Sequence, residues 1–256
     1  MDDFHLKKWY LDGADEQGNV YIGYQVYLRW RNLRLHGYQH VWRTPVHGVR
    51  TRAGLAQQPE PVWEGGNRLM WQPDSLQASW TTVDGPLEET LFSSDHGDIR
   101  WRCTQPKAAM SLRSPQLTFA GWGYTECIDI TLPVWKLPFN TLYWGRCHSE
   151  HHCLVWIVWN GATEQKIVWY NGRRSTDLVI EGGRISGPDV SLKLGESVTL
   201  RQGRLISTVF KSFGHITKLL PRAAFLADEH KWYNRGQIET GSSSEPATTI
   251  YEEVFW

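Results

Sequence analysis

Short runs of β-branched and aromatic residues, parted every few positions by Gly, Pro, Asn or Asp, extend along nearly the whole chain. Residues 21–30 (YIGYQVYLRW) lead through a turn at Arg31-Asn32 into 33–43 (LRLHGYQHVWR). Further runs occupy 69–71, 76–83, 87–92, 99–103, 123–132, 141–147, 153–159, 165–170, 177–182, 190–194, 197–203 and 248–256. Strands this short, with turn residues this regular, suit a sandwich or barrel and not the alternating helices of βαβ units. Asn160-Gly161 and Asn171-Gly172 read as tight turns, because both residue types tolerate positive φ. SSSEPATT (242–249) reads as a polar loop. Two segments have helical character: 210–220, stopped by Pro221, and 222–233, rich in Ala, Leu and Glu. The expected fold is all-β, with two antiparallel barrel or sandwich lobes and one short helix near the C-terminus. The two prolines of LPVWKLPFN (132–140) exclude a central strand there. They divide the chain into an N-terminal lobe, 1–132, and a C-terminal lobe, 133–256, as separate domains or one continuous sandwich.

Charge and composition narrow the function. The 256 residues carry 27 basic and 27 acidic side chains, so no basic excess points to nucleic acid. No run approaches the roughly eighteen apolar residues of a membrane helix. MDDFHLKKWY lacks the apolar core of a signal peptide, and the four cysteines form no C-x-x-C pair. A reducing, cytoplasmic location is the expectation. Fifteen Trp, ten Tyr and eight Phe exceed what a core alone asks for and suggest an aromatic-lined pocket. No feature fixes an oligomeric state.

Alternation of side chains along a strand singles out one carboxylate. From Trp122 onward, one face carries Trp122, Tyr124, Glu126, Ile128, Ile130 and Leu132, and the other carries Thr125, Cys127 and Asp129. Glu126 therefore lies among apolar groups, with Tyr124 beside it. Burial penalises the charged form, and a carboxyl group that keeps its proton near neutral pH can act as a general acid. The competing reading is a structural glutamate paired with an arginine or a backbone amide. The same alternation collects Tyr38, His40 and Trp42 on one face of 33–43, lining a cavity or facing water. Trp144, Trp156 and Trp159 are further candidates for pocket walls, although Trp156 and Trp159 fall on opposite faces of one strand.

RCHSEHHC (146–153) gathers Cys147, His148, His151, His152 and Cys153. Thiolates and imidazoles suit zinc, but the spacing matches no usual zinc signature. A hairpin tip is the better reading, with Cys147 facing Cys153 and Trp144 facing Trp156 in one register. No metal site is assigned. Nucleotide-binding and nucleophile-elbow motifs are also absent, so no cofactor is expected.

Trp9-Tyr10-Leu11-Asp12-Gly13, the Gly121–Gly161 stretch with its G-x-G-Y opening, His230-Lys231-Trp232 and the closing Tyr251-Glu252-Glu253-Val254 together resemble a known group. It is the lipocalin-like (calycin-related) superfamily of carotenoid 1,2-hydratases, tocopherol cyclase, AttH-type proteins and related Diels–Alderases. The resemblance implies two lipocalin-like lobes, no redox cofactor and a long apolar substrate. The expectation is a cofactor-independent cyclase, hydratase or isomerase acting on a terpenoid-like or other apolar molecule. Glu126 would donate the proton and Tyr124 would hold it. Trp122, Trp144, Trp156, Trp159, Tyr38, His40 and Trp42 would contact substrate. Such a substrate could arrive through transient membrane association. The alternative is a lipocalin-like carrier that binds a hydrophobic small molecule without changing it.

Overall fold

The computed structural model describes residues 4–162, 164–181, 184–204, 227–241 and 243–256. They fall into two compact units, with the chain passing from the first to the second between Leu137 and Pro138. The first contains β1 (Phe4–Ala14), β2 (Val20–Trp30), β3 (Leu33–Thr44), β4 (Gly48–Gly54), β5 (Val62–Glu64), β6 (Arg68–Trp71), β7 (Gln77–Thr82), β8 (Leu87–Ser94), β9 (Gly97–Arg113) and β10 (Thr118–Ile130). A 3-10 turn at Val134–Lys136 follows. The second contains β11 (Phe139–His148), β12 (Cys153–Gly161), β13 (Gln165–Tyr170), β14 (Arg173–Arg174), β15 (Val179–Glu181), β16 (Arg184–Ser186), β17 (Ser191–Lys193), β18 (Ser197–Arg204), β19 (Asp228–Thr240) and β20 (Ser243–Phe255).

The first sheet has the order β4-β3-β2-β1-β10-β9-β7-β6-β5, with β8 added on β9. The second has the order β14-β13-β12-β11-β20-β19-β17-β16-β15, with β18 added on β19. Adding ten to each strand number of the first gives the second. The chain is thus a topological repeat, although no repeat is visible in its sequence.

Both lobes use one long strand that changes partner midway. In β9, Ile99–Cys103 pair with β8, and Ala108–Arg113 pair with β7. Pro106 falls in the changeover, where its missing N–H interrupts neither ladder. In β19 the change comes between Asn234, the last partner of β18, and Gln237, the first partner of β17.

Alternation then gives each sheet a core face. In the first lobe Leu11, Tyr21, Trp42, Trp71, Trp80, Met110, Leu112 and Phe119 pack together. In the second, Leu154, Trp156, Val168, Ile185, Leu192 and Ile238 do so. Among the described residues no helix is long and apolar enough to cross a membrane.

Several expectations are corrected. Residues 228–233, read as helix, lie in β19, where β18 and β20 pair with them on both sides. Two-sided pairing overrides the helix preference of Glu229 and Lys231. The helical readings over 210–220 and 222–226 lie outside the described residues. Residues 243–249, read as loop, form the first half of β20. Asn171 and Gly172 do take positive φ, but Asn160 and Gly161 end strand β12 instead of turning.

The β11–β12 hairpin is one residue out of the expected register. Cys147 faces Leu154, Trp144 faces Ile157, and Gly145 faces Trp156. The tip closes through Ser149 N–H donating to His152 O at 3.0 Å and His152 N–H donating to Ser149 Oγ at 3.1 Å. This register sets the largest side chain of β12 against the one residue of β11 that has none. A Cβ on Gly145 would lie 2.2 Å from Trp156 Cζ2. Gly145→Ala should therefore lower stability by about 1–3 kcal/mol, the cost of overpacking a filled core. Urea unfolding measures it, and an unchanged midpoint would refute this account of the register.

Candidate functional site

Glu126 sits at an irregularity in the sheet. The β10–β9 pairing shifts register between Gly123 and Thr125 and again between Thr125 and Glu126. Bulges of this kind re-aim side chains and are common beside functional groups. Cross-strand partners share a sheet face. Tyr10 faces Glu126, Asp12 faces Tyr124, and Ala14 faces Trp122, so Trp122, Tyr124 and Glu126 lie together as alternation predicts.

That face holds a paired arrangement of tyrosines and carboxylates. Tyr124 O–H donates to Glu126 Oε2 at 2.6 Å, and Tyr10 O–H donates to Asp12 Oδ2 at 2.7 Å. Each tyrosine thus serves the carboxylate two positions further along its own strand. Trp101 Nε1–H donates to Glu126 Oε2 at 2.6 Å, so two donors converge on a single oxygen. The Tyr10 ring meets Tyr24 at 5.2 Å and Tyr124 at 5.9 Å, both edge-on. Asp12 and Tyr124 have no exposed surface, and Glu126 is 6% exposed. Burial, helped by the neighbouring Cys103 and Glu126, raises the Tyr124 hydroxyl well above its ordinary range. Tyr124 is therefore a permanent donor towards Glu126.

A core tryptophan braces this layer from the other side. Trp80 crosses β10 at Gly123, where a Cβ would lie 2.6 Å from its ring, and donates Nε1–H to Asp12 O at 2.7 Å. In the sequence Tyr10 and Asp12 stand out only within the motif that carries the resemblance, not as site residues, and Trp101 does not stand out. Alternation along Trp9–Ala14 would have flagged Asp12, a carboxylate on the face of Tyr10 and Ala14.

The other proposed wall residues divide. Tyr38, His40 and Trp42 face Gln25, Gly23 and Tyr21, which belong to the core face, opposite Glu126. The reason lies in the strand pairing. β10 reaches β3 through β1 and β2, and that register places 38, 40 and 42 with Trp9 and Leu11. His40 is a core histidine. Its Nδ1 lies 2.8 Å from Tyr21 Oη, and its ring packs on Trp42 at 5.6 Å and Trp71 at 5.3 Å.

Burial, then Arg52 facing it across the strands, lowers the His40 pKa from 6.5 to about 4, while Asp74 opposes weakly. A histidine kept neutral contributes stability that is fully present above the unfolded pKa. That contribution disappears as pH falls from 6.5 towards about 4. The expected loss is about 3 kcal/mol. Urea unfolding of the protein and of His40→Gln over this range checks it. The variant should lose the corresponding slope, and equal slopes would contradict the assignment.

In the second lobe Trp156 is a core residue, whereas Trp144 and Trp159 lie on the face away from that core. Trp159 packs on Phe139 at 5.5 Å. The Trp144 ring carries the Lys231 ammonium at 5.2 Å, much as Trp122 carries that of Lys107 at 4.4 Å. Both rings are therefore already engaged by a cation. Lys231 pairs with Glu252 and lies 3.9 Å from Glu229, which pairs with Arg201. Burial raises the Glu229 pKa, and the opposing pull of Arg201 comes second.

Two histidines of the 146–153 stretch engage nearby side chains. His151 Nδ1 is 2.9 Å from Glu245, and Tyr170 Oη is 2.8 Å from His152 Nδ1. Among the described residues no group of three His, Cys, Asp or Glu side chains could hold a metal ion.

Neither a family model nor a curated protein sequence matches the chain. Solved structures do match its fold. A Nitrosomonas europaea protein assigned to the AttH group is 10% identical, with 98% of this chain and 92% of that one covered and a TM-score of 0.58. Kievitone hydratase from Nectria haematococca is 10% identical, covering 98% and 88%, with a TM-score of 0.56. CghA, in a crystal structure with Sch210972, is 8% identical, covering 99% and 89%, with a TM-score of 0.54. These are structures of the kind that the sequence resemblance pointed to, and the fold is all-β and lipocalin-like. At these identities the likeness is one of fold.

Proposed function

We propose that the protein is a cofactor-independent enzyme that uses Glu126 to protonate a terpenoid-like or similarly apolar substrate, as a cyclase, hydratase or isomerase. The observation that carries this reading is the buried carboxyl group with Tyr124 O–H and Trp101 N–H both fixed on Oε2. Two donors fill that oxygen, so a proton that Glu126 delivers has to sit on Oε1. Transfer of that proton to an alkene carbon forms a C–H bond from the π electrons and leaves a carbocation and a carboxylate. The cation, before or after it closes a ring or adds water, is discharged by loss of a proton from carbon or from the added oxygen back to the Glu126 carboxylate. The aromatic faces of Tyr10 and Tyr24 suit a cationic species of this kind. Tyr124 and Trp101 stabilise the carboxylate left behind and fix its orientation. Of the tryptophans, Trp122 shares this face, with its own ring partly engaged by Lys107.

Kievitone hydratase is an enzyme on the same fold, which supports a catalytic reading without identifying the substrate. The carrier reading is favoured by a separate observation, a cavity of about 230 Å³ on the core face of the first lobe. Native mass spectrometry of freshly purified protein, followed by incubation of any released compound with the protein in D2O, separates the two. The enzyme reading expects deuterium to enter the compound at carbon. A compound that is released unchanged and stays unlabelled would favour the carrier.

A further inference from the structure

Between Glu16 and Glu60 the chain has six arginines and no acidic residue, although basic and acidic side chains balance at 27 each over the whole sequence. Strand pairing sends the six to opposite ends of the first sheet. Arg43, Arg50 and Arg52 gather near the β3–β4 turn, where Arg43 donates to Gly18 O and Arg52 pairs with Asp74 at 3.2 Å. Arg29, Arg31 and Arg34 gather at the β2–β3 turn, where the Arg31 guanidinium lies 5.1 Å from the Trp30 ring. Arg29 and Arg34 face each other directly across the two strands. Like charges so placed repel. An anion held by both turns that repulsion into attraction.

A second row completes this face. Cross-strand partners share a face, so His5, Arg29 and Arg34 stand in one row, and Lys7, Tyr27 and His36 stand in another two residues further along. Neighbouring strands lie about 4.8 Å apart and two residues span about 7 Å, so Arg29, Arg34, Tyr27 and His36 mark the corners of a patch about 5 Å by 7 Å. The Tyr27 ring stands between two imidazoles, 5.0 Å from that of His36 and 6.0 Å from that of His5. Arg34 is exposed, and Arg29, Tyr27 and His36 are half-buried, so all four reach solvent. β2 and β3 bring no carboxylate to this face. Asp129 and Glu60 reach it from other segments, and they engage His5 at 3.0 Å and Lys7 at 2.8 Å. The cavity of about 230 Å³ opens beside the second row, with Lys7, Tyr27, His36, Gln57 and Glu60 in its lining. Segment 57–60 is held in place by Gln25 Nε2 donating to Gln58 O at 2.6 Å and Trp71 Nε1–H donating to Pro59 O at 2.8 Å.

We infer that Arg29 and Arg34 hold the phosphate of a small phosphate monoester, whose organic group lies against Tyr27 and His36 at the mouth of the recess. Each guanidinium offers a fork of N–H donors, and a phosphate dianion has the charge and the oxygens to take both. The volume is below that of a usual drug-sized pocket, which limits the organic group to one or two rings. The site stands on the face opposite Glu126 and does not depend on the role assigned to that residue.

The test titrates phenyl phosphate, inorganic phosphate and phenol into the unaltered protein by calorimetry. Phenyl phosphate should saturate, inorganic phosphate should bind about tenfold more weakly for want of the ring, and phenol should not bind measurably. Arg34→Gln should weaken both phosphates about tenfold or more, through loss of charge-assisted hydrogen bonds. Arg50→Gln removes one charge at the other end of the sheet and should leave both unchanged. Tyr27→Leu should weaken the ester and spare inorganic phosphate, whose binding shows that the variant is folded. Sedimentation with phosphatidylcholine vesicles carrying phosphatidic acid or phosphatidylglycerol separates a soluble ester from a lipid headgroup. Phenyl phosphate that fails to saturate would overturn the proposal, and capture by phosphatidic acid vesicles alone would then assign the arginines to a lipid headgroup. Equal weakening by Arg34→Gln and Arg50→Gln would overturn it as well, because diffuse charge attraction would account for the binding.

Discussion

Replacing Lys231 with Met is expected to cost about 3–5 kcal/mol of folding stability, the usual cost of removing one member of a buried ion network. Lys231 is 2% exposed, as is Glu229, and Glu252 is nearly buried. The ammonium pairs with Glu252, stands 3.9 Å from Glu229 and rests on the Trp144 ring. Met keeps the length of the side chain and removes its charge, so two buried carboxylates are left with one cation fewer. The double variant Lys231→Met, Glu252→Leu should recover most of the loss, because an apolar pair can replace a buried ion pair at little net cost. Urea unfolding of the single and double variants measures this. Equal losses in both would show that packing, and not charge, is at stake. The raised pKa of Glu229 adds a pH dependence. A carboxyl whose pKa rises on folding contributes stability that is complete below its unfolded pKa and is lost as pH climbs through the folded value. The Lys231→Met variant should therefore be least stable at neutral and alkaline pH and should partly recover in mild acid.

The second large effect is on chemistry. Glu126→Gln should lower turnover by about 10²–10⁴, the range for loss of a positioned general acid. Gln is nearly isosteric and keeps an oxygen that can accept from Tyr124 and Trp101, so the fold and the hydrogen bonds survive while the transferable proton is lost. Binding should change only a few-fold, which makes the loss one of kcat and not of KM. The thermal midpoint should move by no more than a few degrees, corresponding to about 1 kcal/mol. A large fall in stability would mark Glu126 as a structural carboxylate instead.

Much of this architecture follows from alternation and turn chemistry. The runs at 21–30, 33–43, 153–159 and 165–170 are strands because β-branched and aromatic residues recur between turn formers. The same rule placed Trp122, Tyr124 and Glu126 on one face. It could not tell which face of the sheet would enclose the aromatic core. That depends on long-range pairing, so alternation along 33–43 does not reveal that Tyr38, His40 and Trp42 stand on the face opposite Glu126. Residues 228–233 read as helix because Glu229 and Lys231 are ordinary surface-helix residues, and only their cross-strand partners explain their burial in a sheet. The strand repeat leaves no trace in the sequence for a related reason. Each lobe fills its core with a different set, tryptophans in the first and mostly aliphatic residues in the second.

The central claim is that Glu126 delivers a proton to an apolar substrate. The most direct measurement incubates the protein and its Glu126→Gln variant with pooled terpenoid and polyene compounds in D2O and follows deuterium at carbon by mass spectrometry. The account predicts that the unaltered protein labels at least one compound and that the variant does so at least about a hundredfold more slowly. Labelling at the same rate by both proteins would contradict it.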